Sequence, residues 1–439
     1  MDLNYNKRSV DSIYEFALKL TGKSLSQVVN LPRDIEDAQN RGKLGTLVER
    51  LYFQITPPNN HEPDFPEADL ELKVTGVKKN SAGKFVAKER LVLTQINFSK
   101  LAEETWENNT FYRKCKRMLV LFYQYGLGIP VVQQKFVLKP LLYEIPESDL
   151  SVIKGDWEKI QRKVLDGKAH EISEGDTYYL GACRKGAGGL DEKLQKQPFS
   201  DIGAPSRAFS FKQSYLNRFI LLGQEVSTLG VGSEVSFEAA TQSKFEAYLG
   251  RSIEDISSEL QFWRRNPNHK SFFREIAIKI LSNGGSQVGE IEKAGIELKT
   301  VRLQKNGKPR ESMSFPGFNF LDIGNEVWEE TKFFEKIERK FLFVVFGENQ
   351  DGIERLLKVG YWNMPFEDRK ESERVWRETK RRVGINAHDL PGMTESLVAH
   401  VRPKARDGKD KALTPQGDYR TKQCFWLNAS YIAKVVSTI

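Results

Sequence analysis

The stretch Pro63 to Lys73 (Pro-Asp-Phe-Pro-Glu-Ala-Asp-Leu-Glu-Leu-Lys) brings two carboxylates and an ammonium within reach of one another. Leu70, Leu72 and Val74 alternate with Asp69, Glu71 and Lys73, so a strand here turns apolar groups to one face and Glu71 with Lys73 to the other. Asp64 precedes Glu71 by seven positions (71 − 64), in a Pro-interrupted segment that can fold back to the start of the strand. Two carboxylates can hold a hard cation through oxygen and leave room for water and a phosphate oxygen. An ammonium beside them stabilises a hydroxide nucleophile or the developing phosphorane charge. The chemistry such a set serves is metal-dependent hydrolysis of a phosphodiester. Taken alone, the same pattern also describes a solvated strand edge. The rest of the chain decides between the two.

Several elements must position these groups. Ser9 to Thr21 carries Ile13, Phe16, Ala17 and Leu20 at helical spacing, and Lys43 to Gln54 is a second expected helix with Leu44, Leu47, Val48 and Leu51 as its buried stripe. Glu49 flanks that stripe, either as an ordinary boundary residue or as a third acid reaching toward Asp64. Lys78 to Lys84 reads as a hairpin turn and Arg90 to Phe98 as the strand that follows. Trp106 to Lys116 is expected to be helical and to present Lys114 just before a buried strand, Arg117 to Tyr125. A further helix is expected over Trp157 to Leu165. Thr177 to Gly189 places small residues beside Arg184 and Lys185, which suits close approach to a phosphate backbone. Arg207 to Ile220, containing Lys212, mixes basic and aromatic groups. It reads equally as a nucleic-acid contact or as a core strand running into an amphipathic helix.

With 439 residues the chain is long enough for two domains. Residues 1–223 form the first expected domain, 224–234 have linker composition, and 235–439 form the second. Sixty-seven Lys and Arg against 59 Asp and Glu give a net charge of +8, which permits a polyanionic partner without requiring one. Cys115, Cys183 and Cys424 are odd in number and far apart, which argues against a disulfide framework and a cysteine zinc cluster. His61, His170, His269, His388 and His400 show no metal-ligand spacing, so zinc hydrolases and histidine-metal nucleases fit poorly. The polar N-terminus and the lack of a long apolar run lead us to expect a cytoplasmic bacterial protein without a membrane partner.

The chain then repeats itself. Glu297-Leu-Lys299 mirrors Glu71-Leu-Lys73 at an offset of 226 (297 − 71), and the same offset carries Asp64 onto Glu290 and Glu49 onto Glu275. Trp106-Glu107 and Lys114 recur as Trp328-Glu329 and Lys336 at an offset of 222 (328 − 106, 336 − 114). The segment ending at Tyr215 parallels the one ending at Tyr431. Ordered correspondence of this kind is what a duplicated domain produces and a chance charged strand does not. In the second copy Glu290 replaces the aspartate and the Pro-Asp-Phe-Pro context is lost, where metal geometry is demanding. The second half therefore reads as a DNA-binding copy without cleavage, in which Arg402 and Lys404 grip phosphates.

Glu49, Asp64, Glu71-Leu-Lys73 and Lys114, with Trp106-Glu107 before that lysine, resemble the active-site set of the mismatch-repair endonuclease MutH. The whole chain resembles the two-domain type II restriction enzymes built from two MutH-like units, which cut at GATC. Lys88 to Leu93, His170 to Gly175, Arg207 to Ser210 and Glu311 to Phe315 carry the likeness beyond the site. The resemblance implies an α/β architecture of two tandem restriction-endonuclease-like domains, each a mixed sheet flanked by helices. It also implies Mg²⁺, with Mn²⁺ able to substitute, at Asp64 and Glu71. Lys73 would assist the attacking water, Glu49 would support the site, and Lys114 would contact the phosphate. Lys185 and Lys212 fall in segments similar to the family's DNA-reading elements, whereas Ser210 stands where MutH has tyrosine. The expected substrate is double-stranded DNA, with DNA-dependent self-association and a cognate adenine methyltransferase in the same system. The alternatives are a strand-nicking repair enzyme and a catalytically silent, methylation-sensing DNA-binding protein.

Overall fold

The alternation around Glu71 becomes a strand, β1 (Glu71–Lys79), in the computed structural model, which describes residues 5–31, 42–55, 62–186, 194–220, 235–265, 269, 271–285 and 288–439. The expected linker 224–234 and residues 187–189 lie outside the described residues. β2 (Phe85–Ala87) returns along β1 as an antiparallel hairpin, and β3 (Leu91–Gln95) leaves for another sheet. β3 stops short of the expected Phe98, because the Asn97 side chain accepts from Lys100 N at 3.0 Å and starts the helix Phe98–Glu103. β4 (Arg117–Gln124) pairs in parallel with β1, placing Glu71 opposite Met118 and Lys73 opposite Val120. Its run from Met118 to Tyr123 is buried throughout, as a central strand covered on both faces requires. β5 (Leu141–Glu144) completes the order β2-β1-β4-β5.

Helix Val10–Leu18, with Ile13, Phe16 and Ala17, and helix Gly42–Leu47, with Leu44 and Leu47, pack on the face formed by Leu70, Leu72, Leu119 and Leu121. Each such leucine contributes about 1.5–3 kcal/mol by burial. Packing that face leaves Glu71 and Lys73 on the opposite one. The second helix widens into a π-helical turn, Val48–Tyr52, on which Glu49 sits. The expected helix from Trp106 divides into a 3₁₀ turn, Trp106–Asn108, and the helix Thr110–Cys115, which Asn109 caps by accepting from Tyr112 N at 2.6 Å.

Helix Glu147–Leu165 starts ten residues before the expected Trp157 (157 − 147). Its buried face includes Asp149 and Asp156, which interrupt the apolar period that the sequence pattern relies on. β6 (Leu180–Arg184) and β9 (Arg207–Phe211) form the antiparallel order β3-β9-β6, while β7 (Leu194–Gln197) and β8 (Ser200–Pro205) make a separate ribbon. Asp156 is fully enclosed and accepts from Tyr178 N at 2.8 Å, Tyr179 N at 2.6 Å and Leu180 N at 2.9 Å, fastening the entry to β6 onto the helix.

The second half rebuilds most of this plan, with no counterpart of β2 among the described residues. β10 (Glu297–Leu303) runs parallel to β12 (Phe341–Glu348), which pairs antiparallel with β13 (Glu354–Trp362). β11 (Met313–Gly317), β17 (Gln423–Leu427) and β14 (Ala399–Pro403) repeat the order β3-β9-β6, and β15 (Lys411–Leu413) with β16 (Tyr419–Thr421) repeats the ribbon. Side-chain contacts repeat as well. Trp106 meets Trp157 at 5.9 Å and Trp328 meets Trp376 at 5.6 Å. Tyr215 donates to Asp149 at 2.9 Å and Tyr431 to Asp368 at 2.7 Å, in each case tying the last helix of the half to the first turn of its long helix. Contacts divide the chain into two units, one comprising Met1–Ile172, Tyr178–Arg184 and Gln195–Glu225, the other Ser173–Thr177, Lys185–Leu194 and Val226–Ile439.

Replacing Asp156 by alanine leaves three buried N–H groups without acceptors, and we expect a loss of about 3 kcal/mol or more by denaturant unfolding. A loss under about 1 kcal/mol would show that the carboxylate does not hold β6 in place.

Candidate active site

The turn Pro63 to Leu70 explains how Asp64 reaches the strand it precedes. Phe65 bridges to Leu70, a short 3₁₀ turn Pro66–Ala68 reverses the chain, and Asp69 takes a left-handed conformation with φ 48°. Lys116 pairs with Asp69 at 2.8 Å across the turn. The result is reciprocal: Asp64 N donates to Glu71 Oε2 at 3.1 Å, and Leu72 N donates to Asp64 Oδ2 at 3.0 Å. On Glu71's other oxygen, Oε1, Lys73 Nζ donates at 2.6 Å and Lys114 Nζ stands at 3.5 Å. Strand alternation places Lys73, and the short helix ending at Cys115 places Lys114.

The electrostatics follow from burial. Glu71 is 1 % exposed, and enclosure pushes its carboxyl up to about 7, with Lys73 pulling it down and Asp64 adding to the rise. Burial by itself would lower the Lys73 ammonium, but the Glu71 carboxylate holds it protonated, above its ordinary range. Burial raises Glu49 too, and the negative charge of Asp64 adds to that rise, while Lys73 and Lys114 oppose it. Glu49 therefore stands within the field of Asp64, Lys73 and Lys114. Asp64, Glu71, Lys73, Lys114 and Glu49 converge in one place, with three carboxylates facing two ammoniums. Asp64 and Glu71 are the pair that could hold a hard cation, and among the described residues no group of three or more His, Cys, Asp or Glu could do so. A cleft of about 520 Å³ opens beside Lys114, lined also by Thr94, Gln95, Asn97, Lys100 and Gln195.

One neighbour was missed from the sequence. Cys115 is buried beside the cluster, and burial pushes its thiol up to about 12 despite the nearby Lys73 charge. A lone cysteine after a lysine carries no signal until β4 is placed next to β1.

The basic groups expected to meet DNA are distributed unevenly. Arg184 ends β6 and is half-buried, and Lys185 after it is exposed. Arg207 is enclosed at 2 % exposure, its guanidinium donating to Ala182 O at 2.6 Å and Ile172 O at 2.5 Å. Lys212 is buried as well, and its charge acts on Asp156. In the described fold both support the small sheet from within, so their charges are not offered at the surface. Arg402 is exposed on β14 with its guanidinium over the Trp426 ring, and Lys404 donates to Phe315 O at 2.9 Å.

The second copy keeps part of the constellation. Glu297 and Lys299 occupy β10 as Glu71 and Lys73 occupy β1, and Lys336 bonds Glu297 as Lys114 approaches Glu71. The acids at the same offset are placed differently. Glu290 lies in the first turn of the helix Gly289–Ala294, and its charge acts on Tyr361, opposite Leu342 on the other face of the sheet from Glu297. Glu275 accepts from Ser271 Oγ at 2.5 Å and sits 3.1 Å from His269 Nε2. The charges acting most strongly on Glu297 are those of Lys336, Arg339 and Lys299, whereas Asp64 is among those acting on Glu71. The cause lies in the chain before the strand, where a helix closed by Gly295 at φ 65° replaces the Pro-Asp-Phe-Pro turn.

A mixed sheet whose parallel central pair carries a carboxylate and a lysine at its edge, built twice in one chain, defines a tandem protein of the restriction-endonuclease-like fold class. The family described as DNA mismatch repair enzyme MutH matches residues 53–156 and again residues 281–373. The two matches contain Asp64 to Lys114 and Glu290 to Lys336 but begin after Glu49 and Glu275. Over 98% of this chain, and 98% of the relative, the sequence is 31% identical to the type II restriction enzyme Sau3AI of Staphylococcus aureus. DNA mismatch repair protein MutH of Shewanella woodyi is 26% identical over 43% of this chain and 80% of its own length, and that of Buchnera aphidicola is 26% identical over 37% and 73%. Those relatives cover less than half of this chain, as a single unit matched to a duplicated one must. The chain belongs to the two-domain, MutH-like type II restriction endonucleases.

Removing Lys73 takes away the nearest ammonium from a buried carboxyl already pushed up to about 7, so the cost is greatest above that pH, where Glu71 is ionised and only Lys114 remains beside it. In metal-free buffer Lys73→Met should lower stability by about 3 kcal/mol, and adding Glu71→Gln should restore most of it. Additive losses in the double variant would show that the pair is not coupled.

Proposed function

We propose that the chain hydrolyses both strands of duplex DNA at a short site, GATC, with Mg²⁺ as cofactor, and that its first half performs the cut. The observation that carries this reading is the convergence of Asp64, Glu71, Lys73 and Lys114 around one carboxylate oxygen and its neighbour. The GATC site is supported by the likeness of Lys88 to Leu93, His170 to Gly175 and Arg207 to Ser210 to enzymes that cut there. Sensitivity to adenine methylation, and a methyltransferase to protect the host's own DNA, belong to the same proposal.

The donor set suits a small hard cation. Asp64 and Glu71 offer only oxygen, and Glu71 is a buried carboxylate whose charge burial disfavours and a cation would favour. Mg²⁺ or Mn²⁺ held by these two residues would supply charge neutralisation at the phosphate and at the attacking water. The chain's own groups supply the rest. Lys73, held protonated by Glu71, places a fixed positive charge where the attacking water loses its proton, and so stabilises the hydroxide without taking the proton itself. Lys114 faces a non-bridging oxygen as the phosphorane charge grows. Glu49 sets the field behind Asp64. The attacking water gives its proton to bulk solvent, its oxygen bonds to phosphorus, the P–O3′ bond breaks, and the departing 3′-oxyanion takes a proton from solvent, leaving a 3′-hydroxyl and a 5′-phosphate.

Incubating supercoiled plasmid with the chain in Mg²⁺ should yield linear fragments, and EDTA should stop the reaction. Glu71→Gln should slow cleavage by roughly a thousandfold or more while DNA is still bound. Cleavage by Glu71→Gln at the wild-type rate would exclude the first-half site, and lasting accumulation of nicked circles would favour the strand-nicking alternative.

A further inference from the structure

The two copies differ in the sign of their charge. The first gathers Glu49, Asp64 and Glu71 against Lys73 and Lys114, which is an acidic arrangement suited to a cation. Around Glu297 in the second, Lys336 and Arg339 both donate to Oε1, the latter at 2.9 Å, and Lys299 lies two residues along the strand on the same face. Arg339 is the new element. Its nearest counterparts in the first half, Lys116 and Arg117, pair with Asp69 at 2.8 Å and Glu144 at 3.5 Å instead. Two cations thus bond one carboxylate, and a third acts on it through its charge. Burial first, and then the positive charges of Lys336, Lys404 and Arg274, pull the Lys299 ammonium below its ordinary range, with Glu297 opposing them. Such crowding of like charge is relieved by an anion.

The second cluster is also open. Glu297 keeps 19% of its side-chain surface, Lys336 30% and Arg339 28%, against 1% for Glu71. Arg339's other partner is Glu335, four positions back in the helix Lys332–Ile337 that ends before Arg339, and 51% exposed, a surface pairing that an incoming anion can displace. Resting on the reading of this chain as a DNA-cutting enzyme, we infer that Lys299, Lys336 and Arg339 form a metal-independent clamp for one backbone phosphate of duplex DNA, at the position where the first copy holds its cation. Loss of the second acid and gain of Arg339 would then have turned a metal site into a phosphate site on the same parallel strand pair. Glu297 is a competitor in this clamp: it occupies the cations until the phosphate arrives.

That last point gives a test whose sign separates the two readings. Binding of the full chain to a short fluorescent duplex is followed by anisotropy in EDTA, where the metal-free first site is acidic and repels phosphate. Glu297→Gln should tighten binding severalfold, because the competing charge is gone. Lys336→Gln with Arg339→Gln should weaken it roughly tenfold or more and flatten the dependence of log K on log salt by roughly two. The charge-conserving pair Lys336→Arg with Arg339→Lys should restore binding, which controls for misfolding. Weaker binding by Glu297→Gln, or binding that appears only with a divalent cation and is lost in Glu297→Gln, would overturn the clamp in favour of a second metal site. Wild-type affinity and salt dependence in the Lys336, Arg339 double variant would overturn it as well. Cleavage in Mg²⁺ is scored separately, so a chain that binds as described but never cuts would refute the nuclease reading and leave the clamp standing.

Discussion

A carboxylate buried to 1% exposure beside a protonated lysine is the feature on which the first half depends. Glu71 is expensive to enclose, as its rise to about 7 records, and the fold surrounds it with compensation. Lys73 lies on one side of Oε1 and Lys114 on the other, while the backbone N–H of Asp64 holds Oε2. Each compensating group comes from a different element. β1 contributes Lys73, the helix before β4 contributes Lys114, and the turn from Pro63 contributes Asp64. The parallel pairing of β1 with β4 is what brings these elements together, and the apolar face of the same strands keeps them there. A charge that is costly for stability is retained where a cation and a phosphate would find it.

The duplicated half shows what the scaffold does without that constraint. The parallel strand pair with its antiparallel neighbour, the order β3-β9-β6, the Trp–Trp contact and the Tyr–Asp tie all persist, so the architecture does not need the Asp64–Glu71 pair. The turn that delivers Asp64 is replaced by a helix, and the charges acting most strongly on Glu297 are all positive. Asp69 and Gly295, 226 positions apart (295 − 69), both adopt the left-handed conformation that turns the chain into its strand. The backbone solution is shared although the side-chain chemistry has diverged.

How much of this could be read from the sequence depends on the kind of signal. Alternation placed β1 and its two faces, and the repeated Glu-Leu-Lys revealed the duplication, because both are local patterns. Glu49, offered by its place beside a helical stripe as a third acid near Asp64, and Lys114, placed just before a buried strand, were drawn into one set by the resemblance, and both act in the field of that cluster. Helix Glu147–Leu165 was read as half its length because Asp149 and Asp156 are buried in hydrogen bonds, and polarity patterns count such residues as solvent-facing. For the same reason Arg207 and Lys212 looked like surface groups, although carbonyls and Asp156 enclose them. The constant offset suggested that Glu290 stands in Asp64's place, but an offset counts residues and does not report whether a turn or a helix spends them. Cys115 and Arg339 became visible only with the strands paired.

On the proposed reading one copy holds a cation and the other does not. Anomalous diffraction from crystals of the full chain grown with duplex DNA and Mn²⁺ tests it most directly. Manganese is expected beside Asp64 and Glu71, and at Glu297 a backbone phosphate with no manganese. Manganese bound at Glu297, or its absence between Asp64 and Glu71, would contradict that reading.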